Sequence, residues 1–532
     1  MTEEQVEKNI PKPVVLVVMD GWGITKPYNG NAITLAKTPV IDDLIKRYPA
    51  TVLEASGEAV GLPAGIFGNS EVGHTTMGMG RALYQDLVKI NKALDDGSFY
   101  KNKILLKAVA HVKENNSQLH LIGLVSSGCV HSSIEHLKGL IVLAKRKAVQ
   151  KVFVHVILDG RDTAFNSGLN FIKELEDFMA KTGAGQIATI SGRFYAMDRD
   201  NHWDRTSKAY LAMTMGTGNK AVTAQSAIEA SYDKKIYDEE FAPTVLDGVS
   251  AGNGLIGAGD AVIFFNYRQD RSRQLTKAFV LPGMDKFERP AYLENLLFVT
   301  FTSYEDDLPV KIAFPKDEPL RGVGEIIATA GLKQLRIAET EKYAHVTYFF
   351  NGGHEDRLVG EDDILIPSPR VDSYSATPEM SALEIADRVV IEATKDVYNF
   401  ILVNFANADM VGHTGDLEAA IKAVETVDRC VGKIVKSVLA KGGCVLVTAD
   451  HGNVEHMIDP QTETIDKEHT TNPVPFILVG EQFEGRNLGY LDAPGGDLSV
   501  LTPHGTLADI GPTILKIMNL ERGEEMTGKE LI

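Results

Sequence analysis

The chain has 532 residues, which is more than one hydrophobic core can use, because single cores stop growing at roughly 250–300 residues. Its 54 basic and 72 acidic residues give a net charge of −18, and such a surface repels polyanions. We therefore expect several domains and no nucleic-acid partner.

The compartment is indicated by the cysteines and by the N-terminal residues. Cys129, Cys430 and Cys444 cannot build a disulfide framework, and none lies in a CxxC pair, so a reducing, cytoplasmic setting is expected. Met1–Pro13 is polar, and the apolar segment after it is too short for a secretory signal or a membrane span. We expect no membrane partner.

Continuous apolar runs recur along the chain, as is typical of parallel strands buried on both faces. The predicted strands are Val14–Met19, Leu119–Val125, Val152–Leu158, Ala261–Phe265, Leu296–Phe301, Phe400–Ala406 and Cys444–Thr448. Apolar residues at steps of three and four predict a helix over Asp416–Lys441, which Gly442 ends. Thr377-Pro378-Glu379 predicts the start of another helix. The alternation of strand and helix predicts an α/β fold.

Ligands of the kind that hold metals follow three of these strands. They are Asp20 after the first, Asp409 and His413 after the sixth, and Asp450 and His451 after the seventh, with His469 farther on. Ligands of an open α/β sheet bind beyond the carboxyl ends of its strands, so these groups are expected at one edge. Mixed carboxylate and imidazole ligands suit manganese or zinc better than calcium or magnesium. An Asp–His pair after a single strand would be explained more simply by an aspartate that caps a helix and a histidine that packs in the core. Because such residues follow three strands, a metal site is favoured.

Ser70 lies in Gly68-Asn69-Ser70-Glu71-Val72-Gly73-His74, where the glycines permit a tight turn. A serine hydroxyl becomes a good nucleophile only when a base or a metal removes its proton. Read alone, the heptapeptide is an ordinary turn, and His74 is read as structural support. Beside the ligand clusters, Ser70 predicts a metal-assisted phosphotransfer site.

Arginines are concentrated in the middle of the chain, mostly just after predicted strands. The set is His131, Arg161, Asp162, Arg193, Arg199, Arg268 and Arg271. Converging guanidinium groups would clamp a small dianion. Surface ion pairs worth about 0–1 kcal/mol each are the alternative, which we accept for Arg205 and Arg273. Lys342, after the strand-like Gln334–Ala338, could reach a phosphate, although alone it would count as a surface lysine.

The metal-type residues form two blocks that flank the arginines in sequence. We therefore expect a discontinuous domain of residues 1–83 and 316–532, with a second domain of residues 84–315 inserted into it. Leu308-Pro309 and the segment Pro319–Gly322 would permit hinges at the return point.

Taken together, these motifs resemble the cofactor-independent phosphoglycerate mutase family of the alkaline phosphatase superfamily. The matching segments, in order, are the Asp20-Gly-Trp-Gly strand end, GNSEVGH, SSGCVHS, LDGRD, SGRFYAMDR, NYRQDR, AETEKYAHVTYFFNGG, NADMVGH, TADHGN and HTTNPVPF. The resemblance covers nearly the whole chain and implies two α/β domains, a phosphatase-like domain interrupted by a phosphotransferase domain. The reaction it implies is interconversion of 2-phosphoglycerate and 3-phosphoglycerate, in glycolysis and gluconeogenesis, through a phosphoserine and without bisphosphoglycerate.

Roles for individual residues come from the same resemblance. It implies that Asp409, His413 and His469 hold one divalent metal, and that Asp20, Ser70, Asp450 and His451 hold the other, with Ser70 phosphorylated. Manganese is the implied metal, and cobalt or magnesium serves some members. Substrate binding is implied for His131, Arg161, Asp162, Arg193, Arg199, Arg268, Arg271 and Lys342. The chain departs from the family within Thr75–Met79, at Cys129 and at Tyr267, but no implied ligand is lost.

Two other functions fit part of this pattern. A phosphatase or another phosphomutase could use the same metal ligands, but a mutase must also hold the glycerate, as the arginines would allow. A catalytically inactive scaffold would need neither Ser70 nor the arginines. Among catalytic groups we rank Ser70, Lys342 and Asp162. Asp162 would carry a proton between the glycerate hydroxyls, and its alternative role is to orient Arg161 or a substrate hydroxyl. We expect a monomer.

Overall fold

The structure is a computed structural model that describes residues 10–290, 292–316, 321–490 and 493–532. The chain divides into two compact units, one of Met1–Tyr84 with Glu318–Ile532 and one of Gln85–Asp317. Residues 1–9 of the polar N-terminal segment, and Pro319 and Leu320 of the predicted hinge, lie outside the described residues.

The strands are numbered in chain order. They are β1 Val14–Met19, β2 Ala50–Glu54, β3 Leu119–Leu124, β4 Val152–Leu158, β5 Gln186–Gly192, β6 Asn219–Ala221, β7 Thr244–Leu246, β8 Ser250–Ala251, β9 Gly254–Leu255, β10 Ala261–Phe264, β11 Leu297–Thr300, β12 Lys311–Ile312, β13 Gln334–Glu339, β14 Glu361–Ile366, β15 Phe400–Phe405, β16 Cys444–Thr448, β17 Val474–Val479 and β18 Gly505–Thr506.

The helices separate by unit. The first unit contains Ala32–Leu35, Pro39–Arg47, Ser70–Met79, Val323–Thr329, Ala382–Thr394, Asn407–Gly412, Leu417–Leu439 and Ile510–Ile517, with a π-helix at His345–Phe349. The second contains Asp86–Asp95, Lys103–Glu114, Ile134–Arg146, Gly168–Thr182, Arg193–Ala196, Trp203–Met215, Ala224–Tyr232 and Arg273–Val280. None of the described helices is long and apolar enough to cross a membrane.

In the first unit, the described strands form a sheet in the order β14-β13-β15-β1-β16-β17-β2-β18. β1 lies between β15 and β16, is parallel to both, and pairs in step from Val14 opposite Phe400 to Met19 opposite Phe405. All six side chains of β1 are buried, and each contributes about 1.5–3 kcal/mol to folding. Because the three strands end at one edge, the segments after them start side by side.

The long helix Leu417–Leu439 shows how sequence sets the boundaries of an element in this unit. The Asp416 side chain accepts a hydrogen bond from the amide of Ala419 and caps the first turn. The apolar residues at steps of three and four form its buried face. Gly442, with a φ of 73°, lies just beyond its end.

In the second unit, the described strands of the larger sheet have the order β12-β11-β10-β3-β4-β5-β7-β6. β10, β3, β4 and β5 are neighbouring parallel strands, so the loops after them also meet at one edge. A sheet with flanking helices in each unit confirms the predicted α/β fold class.

Two details differ from prediction. β17 runs antiparallel to β16 and β2, which makes the first sheet mixed rather than wholly parallel. The helix predicted to start at Thr377 begins at Ala382, because Met380 has a φ of 42° and cannot continue a right-handed turn.

Candidate active site

Three carboxylates meet at the carboxyl edge of the first sheet. Asp20 follows β1, Asp409 lies on the helix Asn407–Gly412 after β15, and Asp450 follows β16. Gly21, with a φ of 76°, turns the chain so closely that a side chain there would meet the backbone of Asp409 at 2.7 Å. The three carboxylates are at most 2% exposed.

Ser70 is the first residue of the helix Ser70–Met79, whose N-terminus is capped by the Asn69 side chain. Its Oγ accepts a hydrogen bond from Lys342 Nζ at 2.6 Å, lies 3.1 Å from His451 Nε2, and donates to Asp20 Oδ1 at 3.2 Å. A helix N-terminus favours negative charge. The Ser70 hydroxyl is therefore placed where an alkoxide or a phosphate ester would be stabilised.

The three predicted histidine ligands share one arrangement, in which Nδ1 faces a backbone carbonyl. The pairs are His413 with Lys467 (2.8 Å), His469 with Gly68 (2.9 Å) and His451 with Gly452 (3.2 Å). Because a carbonyl only accepts, Nδ1 carries a proton, and Nε2 is the nitrogen left to face a metal. His469 Nε2 lies 3.1 Å from Asp409 Oδ1 and His413 Nε2 lies 3.3 Å from it. Carbonyl-oriented imidazoles of this kind are typical of metal ligands.

Lys342 ends the 3-10 turn Thr340–Lys342, where its Nζ donates to Asp20 at 2.8 Å and to Asp409 at 2.6 Å. Burial would lower the pKa of Lys342, but Asp20, Asp409 and Asp450 outweigh it and raise that pKa. Burial likewise would raise the pKa of Asp20 and of Asp409, but Lys342 in particular lowers both. One ammonium against three buried carboxylates leaves an excess of negative charge, which suits additional cations.

The ligand atoms fall into two groups that could each hold an ion. One group is Asp409, His451 and His469, and the other is Asp20, Asp450 and His451, with the ligand atoms of each within 4.8 Å of one another. Burial lowers the pKa of His451, but Asp450, Asp20 and Asp409 raise it to about 10, so an ion would displace that proton. Asp450 Oδ2 is buried 3.1 Å from His74 Nδ1, and no described residue donates a hydrogen bond of good geometry to it. The donor set fits two divalent ions, with His451 near both groups.

Two asparagines that we did not predict as site residues hold these carboxylates. Asn404 Nδ2 donates to Asp20 Oδ2 at 2.8 Å and lies 3.1 Å from His74 Nε2. Asn453 Nδ2 donates to Asp409 Oδ1 at 3.0 Å. The TADHGN motif contains Asn453, but Asn404 lies within β15 and gives no sequence signal.

Glu455 is fully buried and joins three ligand-bearing segments. Its Oε2 accepts from the amides of Gly23 (3.1 Å) and Asn453 (2.8 Å), while its Oε1 accepts from the hydroxyl of Thr470 and from Asn472 Nδ2 (3.0 Å). These segments come after Asp20, His451 and His469. Glu455 therefore fixes the ligand segments without itself being among the predicted ligands.

The predicted substrate residues of the second unit lie after neighbouring strands of its sheet. His131 comes after β3, Arg161 and Asp162 after β4, Arg193 after β5, and Arg268 and Arg271 after β10. Burial and then the positive charges of Arg199, Arg193 and Arg161 lower the pKa of Arg271. Such a shift is the direction expected where guanidinium groups follow neighbouring strands of one sheet.

Arg193 is the buried centre of this group, with a side chain 2% exposed. Its Nη1 donates to Asp159 Oδ1 at 2.6 Å and to Asp162 Oδ2 at 2.7 Å. Its Nε is buried and has no hydrogen-bond partner among the described residues. Part of this fixed guanidinium thus remains available for an anion.

Arg161, Arg199 and Arg268 are half exposed and are paired with carboxylates. Asp270 accepts from Arg199 at 3.0 Å and lies 3.2 Å from Arg268 Nε, while Arg161 lies 3.0 Å from Glu239. His131 is buried 3.9 Å from Asp162, and burial followed by Arg193 lowers its pKa to about 4, so its imidazole is neutral at pH 7.

Comparison with known proteins agrees with this geometry. The sequence model of the metalloenzyme superfamily matches residues 12–522, so the chain belongs to that superfamily. Curated relatives are the 2,3-bisphosphoglycerate-independent phosphoglycerate mutases of Clostridioides difficile and Clostridium perfringens, each 50% identical over 98% of this chain and 99% of the relative. A solved Leishmania mexicana phosphoglycerate mutase, studied at low cobalt concentration, is 31% identical, covers 98% of this chain and 97% of its own, and has a TM-score of 0.51. The chain belongs to the 2,3-bisphosphoglycerate-independent phosphoglycerate mutase family.

Proposed function

We propose that this chain interconverts 2-phosphoglycerate and 3-phosphoglycerate through a phosphoserine at Ser70, with two divalent metals and without bisphosphoglycerate, as a step of glycolysis and gluconeogenesis. The observation that carries the proposal is the position of Ser70 at a helix N-terminus, with its Oγ 2.6 Å from Lys342 Nζ and 3.1 Å from His451 Nε2. The first unit would act as the phosphatase-like domain and the second as the phosphotransferase domain.

The proposed ligands divide into two sets. Asp409, His413 and His469 would hold one ion, and Asp20, Ser70, Asp450 and His451 the other, with manganese as the expected metal. When bound, such ions supply Lewis acidity that lowers the pKa of a hydroxyl and offsets phosphate charge. The carbonyl contacts of the three imidazoles support this assignment, because they engage Nδ1 and leave Nε2 as the nitrogen that would face an ion.

The chain's own groups account for the transfer. Lys342 donates to Ser70 Oγ and would stabilise the alkoxide that attacks phosphorus. The bond from phosphorus to one glycerate oxygen breaks as the bond to Ser70 Oγ forms, and that glycerate oxygen gains a proton. On return, the other glycerate hydroxyl loses a proton and attacks phosphorus, which frees Ser70.

Asp162 would carry the proton between the two glycerate hydroxyls, and the arginines would hold the glycerate in place. Support comes from its pairing with Arg193 at 2.7 Å, which orients the carboxylate. In Asp162→Asn we expect normal phosphorylation of Ser70 but slow return to glycerate. Rapid-quench measurement of phosphoenzyme would then show accumulation or loss to water. Normal return with only weaker substrate binding would leave Asp162 an orienting role alone.

The function itself is tested with 3-phosphoglycerate and metal-stripped enzyme, with each metal added back and bisphosphoglycerate omitted. Appearance of 2-phosphoglycerate at the rate at which 3-phosphoglycerate disappears supports a mutase. Release of inorganic phosphate instead would identify a phosphatase. Metal binding without any turnover would favour a scaffold.

We further propose a cytoplasmic monomer. All three cysteines are free, and Cys430 and Cys444 are buried, which suits a reducing compartment. Sedimentation of the purified chain should give one species of 58.0 kDa.

A further inference from the structure

Asp159 occupies a position to which the sequence motifs assigned no role. It directly follows β4 and is 1% exposed. Its Oδ2 accepts from Ser126 Oγ at 2.6 Å, and its Oδ1 accepts from Arg193 Nη1 at 2.6 Å. That same Oδ1 also accepts from the amides of Arg161 (3.2 Å) and Asp162 (3.0 Å).

These donors come from the loops after three neighbouring strands, β3, β4 and β5, all of which carry proposed substrate residues. Burial alone would raise the pKa of Asp159, but hydrogen bonds from Ser126, the Asp162 amide and Arg193 lower it. Asp159 is therefore ionised, and its hydrogen bonds connect the segments that follow the three strands.

We propose that Asp159 is a positioning residue of the substrate site, which acts through Arg193 and the Arg161–Asp162 turn and does not touch the substrate. This inference rests on the proposed function, since it takes Arg193 as a substrate anchor. Asp159 and Asp162 share one guanidinium nitrogen, Nη1, so the guanidinium and the Asp162 carboxylate are both held in place while Nε keeps an unused donor. Asp162 alone would leave the guanidinium free to rotate about that single contact.

The test is Asp159→Asn, which keeps the shape and one acceptor oxygen but removes the charge. We expect KM for 3-phosphoglycerate to rise about 10-fold or more, in line with the loss of a charge-assisted hydrogen bond, with a smaller fall in kcat and unchanged metal content. Combined with Arg193→Ala, the substitution should add a smaller loss than it causes alone, because the part of its effect that passes through Arg193 is already gone.

Asp260 provides a matched control. It is 3% exposed and also accepts four hydrogen bonds, from Gln118 N, Gln118 Nε2, Gly257 N and His120 Nε2, but it lies just before β10, at the opposite edge of the sheet. Asp260→Asn should lower the unfolding temperature and leave KM within about two-fold.

Three results would overturn the inference: an unchanged KM in Asp159→Asn, independent effects of Asp159→Asn and Arg193→Ala in the double variant, or an equal rise of KM in Asp260→Asn. If Asp159→Asn does not fold, Ser126→Ala removes one donor and keeps the charge, and an unchanged KM there also overturns the inference.

The unmodified chain is assayed first. If it fails to convert 3-phosphoglycerate, the proposed function falls, and calorimetric binding of 3-phosphoglycerate to the same variants still decides the role of Asp159.

Discussion

The two units differ in the burial of their charged site residues. In the first, Asp20, Asp409 and Asp450 are removed from water and are held by Lys342, histidines and asparagines. In the second, the arginine side chains other than Arg193 remain accessible, with Arg161 at 52%, Arg199 at 48% and Arg268 at 51% exposed. Metal ligands gain from fixed geometry and low dielectric, whereas a substrate clamp must stay open to an anion that enters and leaves.

The two units nevertheless share one structural feature, a buried carboxylate that accepts hydrogen bonds from several loops. Each unit contains a buried carboxylate that joins three strand-end segments at the proposed site, Glu455 in the first and Asp159 in the second. Both accept main-chain and side-chain hydrogen bonds, so each fixes strand-end loops that have no regular structure of their own. Both sites are thus organised by groups outside the proposed chemistry.

The largest effect is expected in the first unit. Ser70→Ala should lower mutase turnover on the order of 10⁴-fold or more, because only the hydroxyl can carry the phosphate. Thr75→Ala, which removes an exposed hydroxyl of the same helix, should leave turnover near normal. Steady-state rates and ³²P labelling of the folded variants provide the measurement. Normal turnover in Ser70→Ala would rule out the phosphoserine.

In the second unit, Arg271→Ala should lower kcat/KM by about 10- to 100-fold, as expected for a lost charge-assisted contact with phosphate. Metal content should not change. Arg205→Ala is the control, since Arg205 stacks on Phe194 and pairs with Asp198. Kinetics together with metal analysis separate the two sites. Stoichiometric metal loss from Arg271→Ala would place Arg271 in support of the metal ligands instead.

Glu455→Gln tests whether the buried, loop-joining carboxylate of the first unit positions the proposed metal ligands. Loss of its charge should weaken metal binding about 10- to 100-fold, as is usual when an outer partner of metal ligands is removed. Equilibrium dialysis with manganese measures this directly. Glu361→Gln serves as the control, because Glu361 is also buried in this unit but accepts from Asn351. Equal metal affinity in both variants would show that Glu455 has no positioning role.

Site residues that directly follow strands were easier to predict from the sequence than the buried carboxylates that connect loops by hydrogen bonds. Asp20 and Asp450 were found because they come directly after apolar runs, and parallel strands bring such residues to one edge. Asp159 and Glu455 were missed because the number of donors around a carboxylate depends on loops far apart in sequence. The late start of the helix Ala382–Thr394 reflects the left-handed backbone at Met380, which local propensity does not reveal.

The smallest predicted effect concerns stability alone. It compares a buried carboxylate that has weak hydrogen-bond donors with the well-bonded carboxylates Asp159 and Glu455. Glu339 ends β13 and is fully buried, yet the Ser381 amide donates to Oε1 over a long 3.3 Å, and Oε2 has no hydrogen-bond partner among the described residues. Burial raises its pKa to about 7, and donation from Ser368 and Ser381 only partly opposes this. Glu339 is thus a buried carboxylate with weaker hydrogen-bond donors than those of Asp159 and Glu455.

The sign of the pH dependence is set by that raised pKa. An unfolded glutamate titrates near about 4.3, so the folded state retains its proton to higher pH than the unfolded state does. The stability that protonated Glu339 contributes is complete below about pH 4.3 and is lost as pH rises to about 7. Glu339→Gln imitates the protonated group and should therefore be more stable than the unmodified chain above pH 7, by on the order of 3 kcal/mol, with no difference near pH 4. Denaturant unfolding of both proteins at several pH values measures the difference, with Glu384→Gln as an exposed control from the helix Ala382–Thr394. A variant that is less stable at pH 8 would show that the Glu339 carboxylate is held by donors after all.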